Sequence, residues 1–196
     1  LSKRDEIEKV VLVEPQVLVF DLLFSPAGQL KTPEIRERWK RAFSFRLSRI
    51  RDKFYLFTPL SFLPFQRFIA VNNVNRFVSS LILKFRLKHR SNNLVLWLYL
   101  PYDLILLKLW KKRKLSCFDW TEPWEIVYNM LSPRQREKLK HYESEIMKKS
   151  DVVFAASEAL YEAAAKLNAN SVLLPNAVSG DFLLKIEAPA DEPVEL

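Results

Sequence analysis

From residue 93 onward the chain alternates short apolar runs with longer segments whose apolar residues recur every three or four positions. "NLVLWLYLP" (93–101) has strand length and ends at Pro101, and an apolar helix is predicted from Asp103 to about Trp110. "KLSCFDW" (114–120) is a second strand. "LSPRQREKLKHYESEIMKK" opens with Ser132, Pro133 and Gln135, a capping box with proline in the first turn, and continues with Leu139, Tyr142, Ile146 and Met147 at helical spacing. Then follow a strand "DVVFAA", a helix "SEALYEAAAKLNAN" capped by Ser157 and leaving through Asn168 or Asn170, and a strand "SVLLP" closed by Pro175. Upstream, "EKVVLVEP" and "KFYLFTP" read as two more strands separated by a basic helical segment, and a helix is predicted from about Asn73 to Lys88. The stretch 16–30 fits strand, helix or packed loop equally. Strands apolar on both faces, alternating with helices, predict an α/β fold: a parallel sheet with helices on both faces.

At 196 residues and 49% apolar content the chain can bury roughly 70% of its unfolded surface around one core. The expected organisation is one α/β domain over 1–184, followed by a loose acidic tail or linker over 185–196. Cys117 is the only cysteine, so no internal disulfide forms, and no Cys/His spacing suggests a metal site; a reducing, cytoplasmic setting is expected. The start of the chain has too short an apolar run for a secretory signal. The apolar stretches 54–71 and 94–110 are interrupted by Pro59, Pro64, Arg67, Pro101, Asp103 and Lys108, short of the roughly 20 continuous apolar residues of a membrane span.

Charge changes the picture further. The net charge is +8 and the pI about 9.6, with the basic residues concentrated between 31 and 114 and carboxylates nearer both ends. Arg41, Arg46 and Arg49 in the first block and Lys84 and Arg86 in the second are interleaved with Trp39, Phe43, Phe45, Phe77, Leu81 and Phe85, and Lys111 and Lys112 belong to a third block. That mixture suits an amphipathic helix lying on anionic lipid, and these cations are the membrane-contact candidates. The plainer alternative is a solvated basic face over a buried aromatic one. Nucleic acid is not expected, since no recognition motif accompanies the charge.

The chemistry is sparse. Gly28 and Gly180 are the only glycines, which argues against a phosphate-cradling loop within the chain. In parallel sheets ligands sit beyond the carboxyl ends of the strands, which nominates Glu14, Thr58, Tyr99, Asp119, Glu122 and Ser157. Asp119 and Glu122, just past a strand, suit orientation of sugar hydroxyls or a proton transfer, or else a capped turn and a solvated acid. Ser157 is also a plain helix cap, with Glu158 well placed in the first turn. Trp97, Trp110, Trp120 and Trp124 suit either a sugar-stacking surface or core packing. Cys117 with His89 or His141 is a catalytic pair on paper only; a small buried hydrophobe is the simpler role for Cys117.

Taken in order, "VVLVEP", "DKFYLFTPLSFLPF", "NVNRF", "LVLWLYLP", "CFDWTE", "SDVVFAASEAL" and "SVLLPNAV" resemble the amino-terminal domain of family 4-like glycosyltransferases of the GT-B architecture, over about residues 9–182. The resemblance implies a Rossmann-like domain on the acceptor side of such an enzyme. It places Tyr99, Asp119, Glu122, Ser157 and Asn176 along an interdomain cleft, as substrate-binding candidates with no catalytic residue or metal assigned. It implies a sugar or lipid-linked acceptor of polysaccharide or cell-envelope synthesis, and attachment to the inner face of the membrane. The nucleotide-sugar donor is expected on a second domain or separate subunit outside these 196 residues, with no cofactor in this chain. The chain departs from the family's pattern after Pro175 and Asn176, where Ala177, Val178 and Ser179 replace the usual glycine and aspartate, and at the end of the strand at 94, where Trp97, Tyr99 and Pro101 stand and the family often has a histidine. The alternative is a non-catalytic basic α/β module for an anionic membrane or an acidic protein partner.

Overall fold

The computed structural model describes residues 7–24, 31–64, 69–87, 93–124 and 132–176. Four strands, β6 (Val95–Leu98), β7 (Leu115–Trp120), β8 (Val152–Ala155) and β9 (Ser171–Leu173), pair in parallel and in chain order. The connections are helical: a single 3₁₀ turn (Pro101–Asp103) leading into α4 (Leu104–Leu109), then α5 (Pro133–Lys149), then α6 (Glu158–Ala165). This is the α/β fold predicted from the alternation, a parallel sheet flanked by helices.

Parallel register sets the faces. Leu98 lies beside Phe118, Phe118 beside Val153, and Trp120 beside Ala155. Leu98, Phe118, Trp120 and Val153 bury themselves against Leu104 and Leu107 of α4, Ile146 and Met147 of α5, and Ala164 of α6. Each large apolar side chain buried here stabilises the fold by roughly 1.5–3 kcal/mol. Strands that advance in one direction through right-handed crossovers place their helices on one side, and α4, α5 and α6 share this core. The alternate residues, Val95, Trp97, Cys117, Asp119, Val152, Phe154 and Val172, therefore point to the other face.

The amino-terminal part is built from shorter ladders. β1 (Val10–Val13) pairs in parallel with β4 (Phe54–Phe57), and β2 (Val17–Leu18) with β5 (Leu60–Ser61). The ambiguous stretch after residue 16 resolves into β2 and a short helix α1 (Val19–Phe24), with 25–30 outside the described residues. The basic segment is only partly helical. α2 (Pro33–Ser44) starts at Thr32, whose hydroxyl accepts the Ile35 N–H at 3.4 Å, and stops at Phe45 in the left-handed region (φ 51°). Glycine normally takes that conformation. Here the Phe45 ring packs against the small core of Val17, Trp39, Ala42 and Leu60 and stacks on Phe62 at 6.3 Å, contacts that a glycine would forfeit.

Beyond Phe45 the expected helix gives way to β3 (Ser48–Arg51), antiparallel to β4. One continuous parallel sheet is therefore not what forms among the described residues; the strands make three ladders, with β3 the antiparallel member. α3 (Ile69–Arg86) ties the two parts together, through Asn75 to the backbone of Leu63 on one side and Arg76 to Asp103 on the other. The tail over 185–196 lies outside the described residues.

Candidate functional site

The exits of β6 and β7 gather two of the predicted residues. Asp119 is the last outward-facing residue of β7, and the neighbouring Trp97 indole N–H donates to its Oδ2 at 3.0 Å. The Trp97 ring stacks on Phe154 of β8, with centroids 5.0 Å apart and planes 14° from parallel. Tyr99, just past β6, has its phenol pushed to higher pKa by burial and then by the negative charge of Asp119. The Asp119 charge thus acts on Tyr99, and the same carboxylate holds the Trp97 indole.

Beneath them Cys117 is buried, its thiol pushed up by burial first and by Asp151 and Asp119 after it. His141 stands exposed on α5, against the opposite face of the sheet, so the two do not form a catalytic pair; His89 lies outside the described residues. Trp110 and Trp120 are core residues, whereas Trp97 is 38% exposed.

The other predicted residues sit along the same edge without joining this group. Glu122 is exposed two residues beyond β7. Ser157 follows β8, and its hydroxyl accepts the Leu160 N–H at 3.4 Å, so it caps α6. Asn176 is exposed three residues past β9 and is the last described residue; Ala177 and Val178 are beyond it.

Glu14 and Thr58, at the exits of β1 and β4, form their own cluster with Arg41 of α2. Arg41 Nη2 lies 3.1 and 3.3 Å from the two Glu14 oxygens, and the buried Thr58 hydroxyl donates to the same carboxylate. Arg41 is committed to this half-buried pair.

The remaining membrane candidates divide in the same way. Lys84 donates to the Leu109 carbonyl at 3.4 Å and lies 5.8 Å over the Trp110 ring, half-buried. Arg46, Arg86, Lys111 and Lys112 are exposed, as is Arg49, which lies on β3 and pairs with Asp52 at 3.3 Å. Arg86 donates to the Phe45 carbonyl at 2.8 Å, which brings the end of α3 against the turn that closes α2. The Lys84 contact brings it against the end of α4, next to Lys111 and Lys112. Phe85, 74% exposed, lies between Lys84 and Arg86 in the last turn of α3.

No family model, no curated protein and no solved structure matches this chain. Among the described residues no group of three or more His, Cys, Asp or Glu side chains is placed to hold a metal ion, and no helix is long and apolar enough to cross a membrane.

Sequence reasoning missed Glu143. It is buried under the exit of β7, where its Oε1 accepts the Trp120 indole N–H at 2.8 Å and the Trp124 backbone N–H at 3.2 Å. Burial raises its pKa, and the two hydrogen bonds and Lys140 only partly oppose that. The signal was present: Glu143 falls on the helical stripe of Leu139, Ile146 and Met147, where an acid is out of place.

Proposed function

We propose that this chain is the acceptor-binding half of a glycosyltransferase of the GT-B type, transferring sugar from a nucleotide-sugar to a cell-envelope or polysaccharide acceptor. The observation that carries this reading is the parallel order of β6 to β9, which puts Tyr99, Asp119, Glu122, Ser157 and Asn176 on the exit side of one sheet. Exits of a parallel sheet are where this architecture places ligands. The ordered motifs support the family, and the absence of a glycine-rich turn supports a donor site carried by another domain or subunit. The test is reconstitution: the chain is mixed with a donor-type domain encoded beside it, radiolabelled UDP-glucose, UDP-N-acetylglucosamine or GDP-mannose, and an envelope lipid extract. Label should enter the extract only when both proteins are present, and Asp119→Asn should slow it. A mixture that neither associates nor transfers any of these sugars defeats the proposal.

A second reading has its own support in exposed Phe85 and the exposed cations Arg86, Lys111 and Lys112: a basic α/β module held peripherally on the cytoplasmic face of an anionic membrane, with or without catalysis. An exposed aromatic side chain on a helix end that carries an exposed cation suits a headgroup boundary. Binding to vesicles that is indifferent to anionic lipid would remove it.

A further inference from the structure

The face of the four-stranded sheet turned away from α4, α5 and α6 joins three residues that the sequence pattern nominated separately, Trp97, Tyr99 and Asp119. Register aligns Trp97 with Cys117 and Val152, and Asp119 with Phe154 and Val172, so an aromatic row and a carboxylate lie side by side on one surface. The Trp97 indole is fixed twice, by its stack on Phe154 at 5.0 Å and by its N–H bond to Asp119 at 3.0 Å. One ring face is taken by Phe154, yet Trp97 keeps 38% of its surface exposed and Tyr99 keeps 50%. The surface thus offers a held flat ring, a carboxylate at its edge and, two residues past Trp97, an exposed phenol.

We propose that this surface binds a pyranose ring of a neutral glycan, with the sugar's C–H face on the free side of Trp97 and its hydroxyls donating to Asp119 and meeting the Tyr99 hydroxyl. The chemistry selects this occupant over others. A uniformly apolar protein surface or a lipid tail would strip water from Asp119 and leave most of its acceptor sites unmatched, which is costly. A sugar supplies an apolar face and O–H donors together, matching both halves of the surface. A uronic acid would bring a second carboxylate against Asp119, so neutral sugars are preferred over acidic ones. The inference rests on the transferase reading only in taking this glycan to be the acceptor; the binding stands or falls alone.

The test is saturation-transfer NMR and calorimetry on the full chain with maltose, methyl mannoside and glucuronic acid. A neutral sugar should bind in preference to glucuronic acid. Trp97→Ala should weaken it about tenfold, Trp97→Phe less, and Asp119→Asn should collapse the preference for neutral over acidic sugar. Circular dichroism checks each fold, and if Trp97→Ala does not fold, Trp97→Phe and Asp119→Asn carry the decision. Binding that is absent for both neutral sugars, unchanged in a folded Trp97→Ala, or equal for glucuronic acid overturns the proposal. So does a dimer that Trp97→Ala dissolves, since that would make the face a self-association surface. The two readings separate in the reconstituted assay. Sugar binding lost in Trp97→Ala with no transfer by the unmodified chain sinks the transferase reading alone, whereas transfer by Trp97→Ala at an unchanged acceptor KM sinks the glycan platform alone.

Discussion

The Trp120 indole N–H donates to the Glu143 carboxylate at 2.8 Å, and both side chains are buried where β7 leaves the sheet. Burial holds the Glu143 pKa above its ordinary range, so the folded state binds this proton more tightly than the unfolded chain does. The resulting stabilisation is fully present below the unfolded pKa and is lost as pH rises through the folded one. Glu143→Gln keeps an acceptor for Trp120 and cannot ionise. It should raise the urea midpoint at about pH 8, with the advantage shrinking toward about pH 4, where the native acid is protonated. Glu143→Leu removes the acceptor and should cost about 1–3 kcal/mol at acidic pH, as the indole N–H is left unpaired. Equal pH profiles for Glu143→Gln and the unmodified chain would contradict this account.

A second buried contact joins α3 to the turn after β6. Arg76 pairs with Asp103, both largely buried, and the other Asp103 oxygen accepts the Leu100 N–H at 3.0 Å. Asp103→Ala abandons both the guanidinium and the backbone donor, and should destabilise the chain by about 3 kcal/mol in urea titration. Replacing both charges with leucine should recover part of that loss, because the abandoned cation contributes much of it. A double variant no better than Asp103→Ala would point instead to the backbone bond at Leu100.

How much of this was legible depended on whether local chemistry or tertiary pairing decided each element. The start of α5 was legible because Ser132 and Gln135 form its cap themselves, the Ser132 N–H reaching Gln135 Oε1 at 3.0 Å. β7 and β8 were legible as apolar runs between charged segments. β3 was not: Ser48–Arg51 carries alternate arginines and continues a basic helical pattern. Its strand state comes from pairing with β4 across a turn in which Lys53 takes φ 56° without a glycine. The candidate site was half legible. Strand exits nominated Tyr99 and Asp119, but a run apolar on both faces conceals which residues point outward. The alliance of Trp97 with Asp119 and Phe154 depends on that register.

The same register shields Cys117, which is 3% exposed under the row that Trp97 and Phe154 form. Burial and two nearby carboxylates raise its thiol pKa, so little reactive thiolate is present at neutral pH. Modification by Ellman's reagent should be slow in the folded chain and should proceed at the rate of a free thiol in urea. Trp97→Ala should speed labelling of the folded protein by opening the cover above the sulfur. Rapid native labelling would mean that Trp97 does not sit over this thiol.

Surface cations should act according to their present commitments. Arg46, Arg86, Lys111 and Lys112 are exposed, as is Phe85, whereas Arg41 is paired with Glu14 at 3.1 Å. If the surface around Phe85 meets anionic lipid, each exposed cation near the headgroups contributes about 1 kcal/mol and salt weakens the attraction. Paired replacement of Lys111 and Lys112 by glutamine should therefore lower co-sedimentation with phosphatidylserine-containing vesicles by at least tenfold while leaving the melting temperature nearly unchanged. Phe85→Ser should lower it at all salt concentrations, because its share is apolar. Arg41→Gln should do the reverse, lowering the melting temperature with little change in vesicle binding. Vesicle binding that falls as steeply with Arg41→Gln as with the lysine pair would locate the contact on α2 instead.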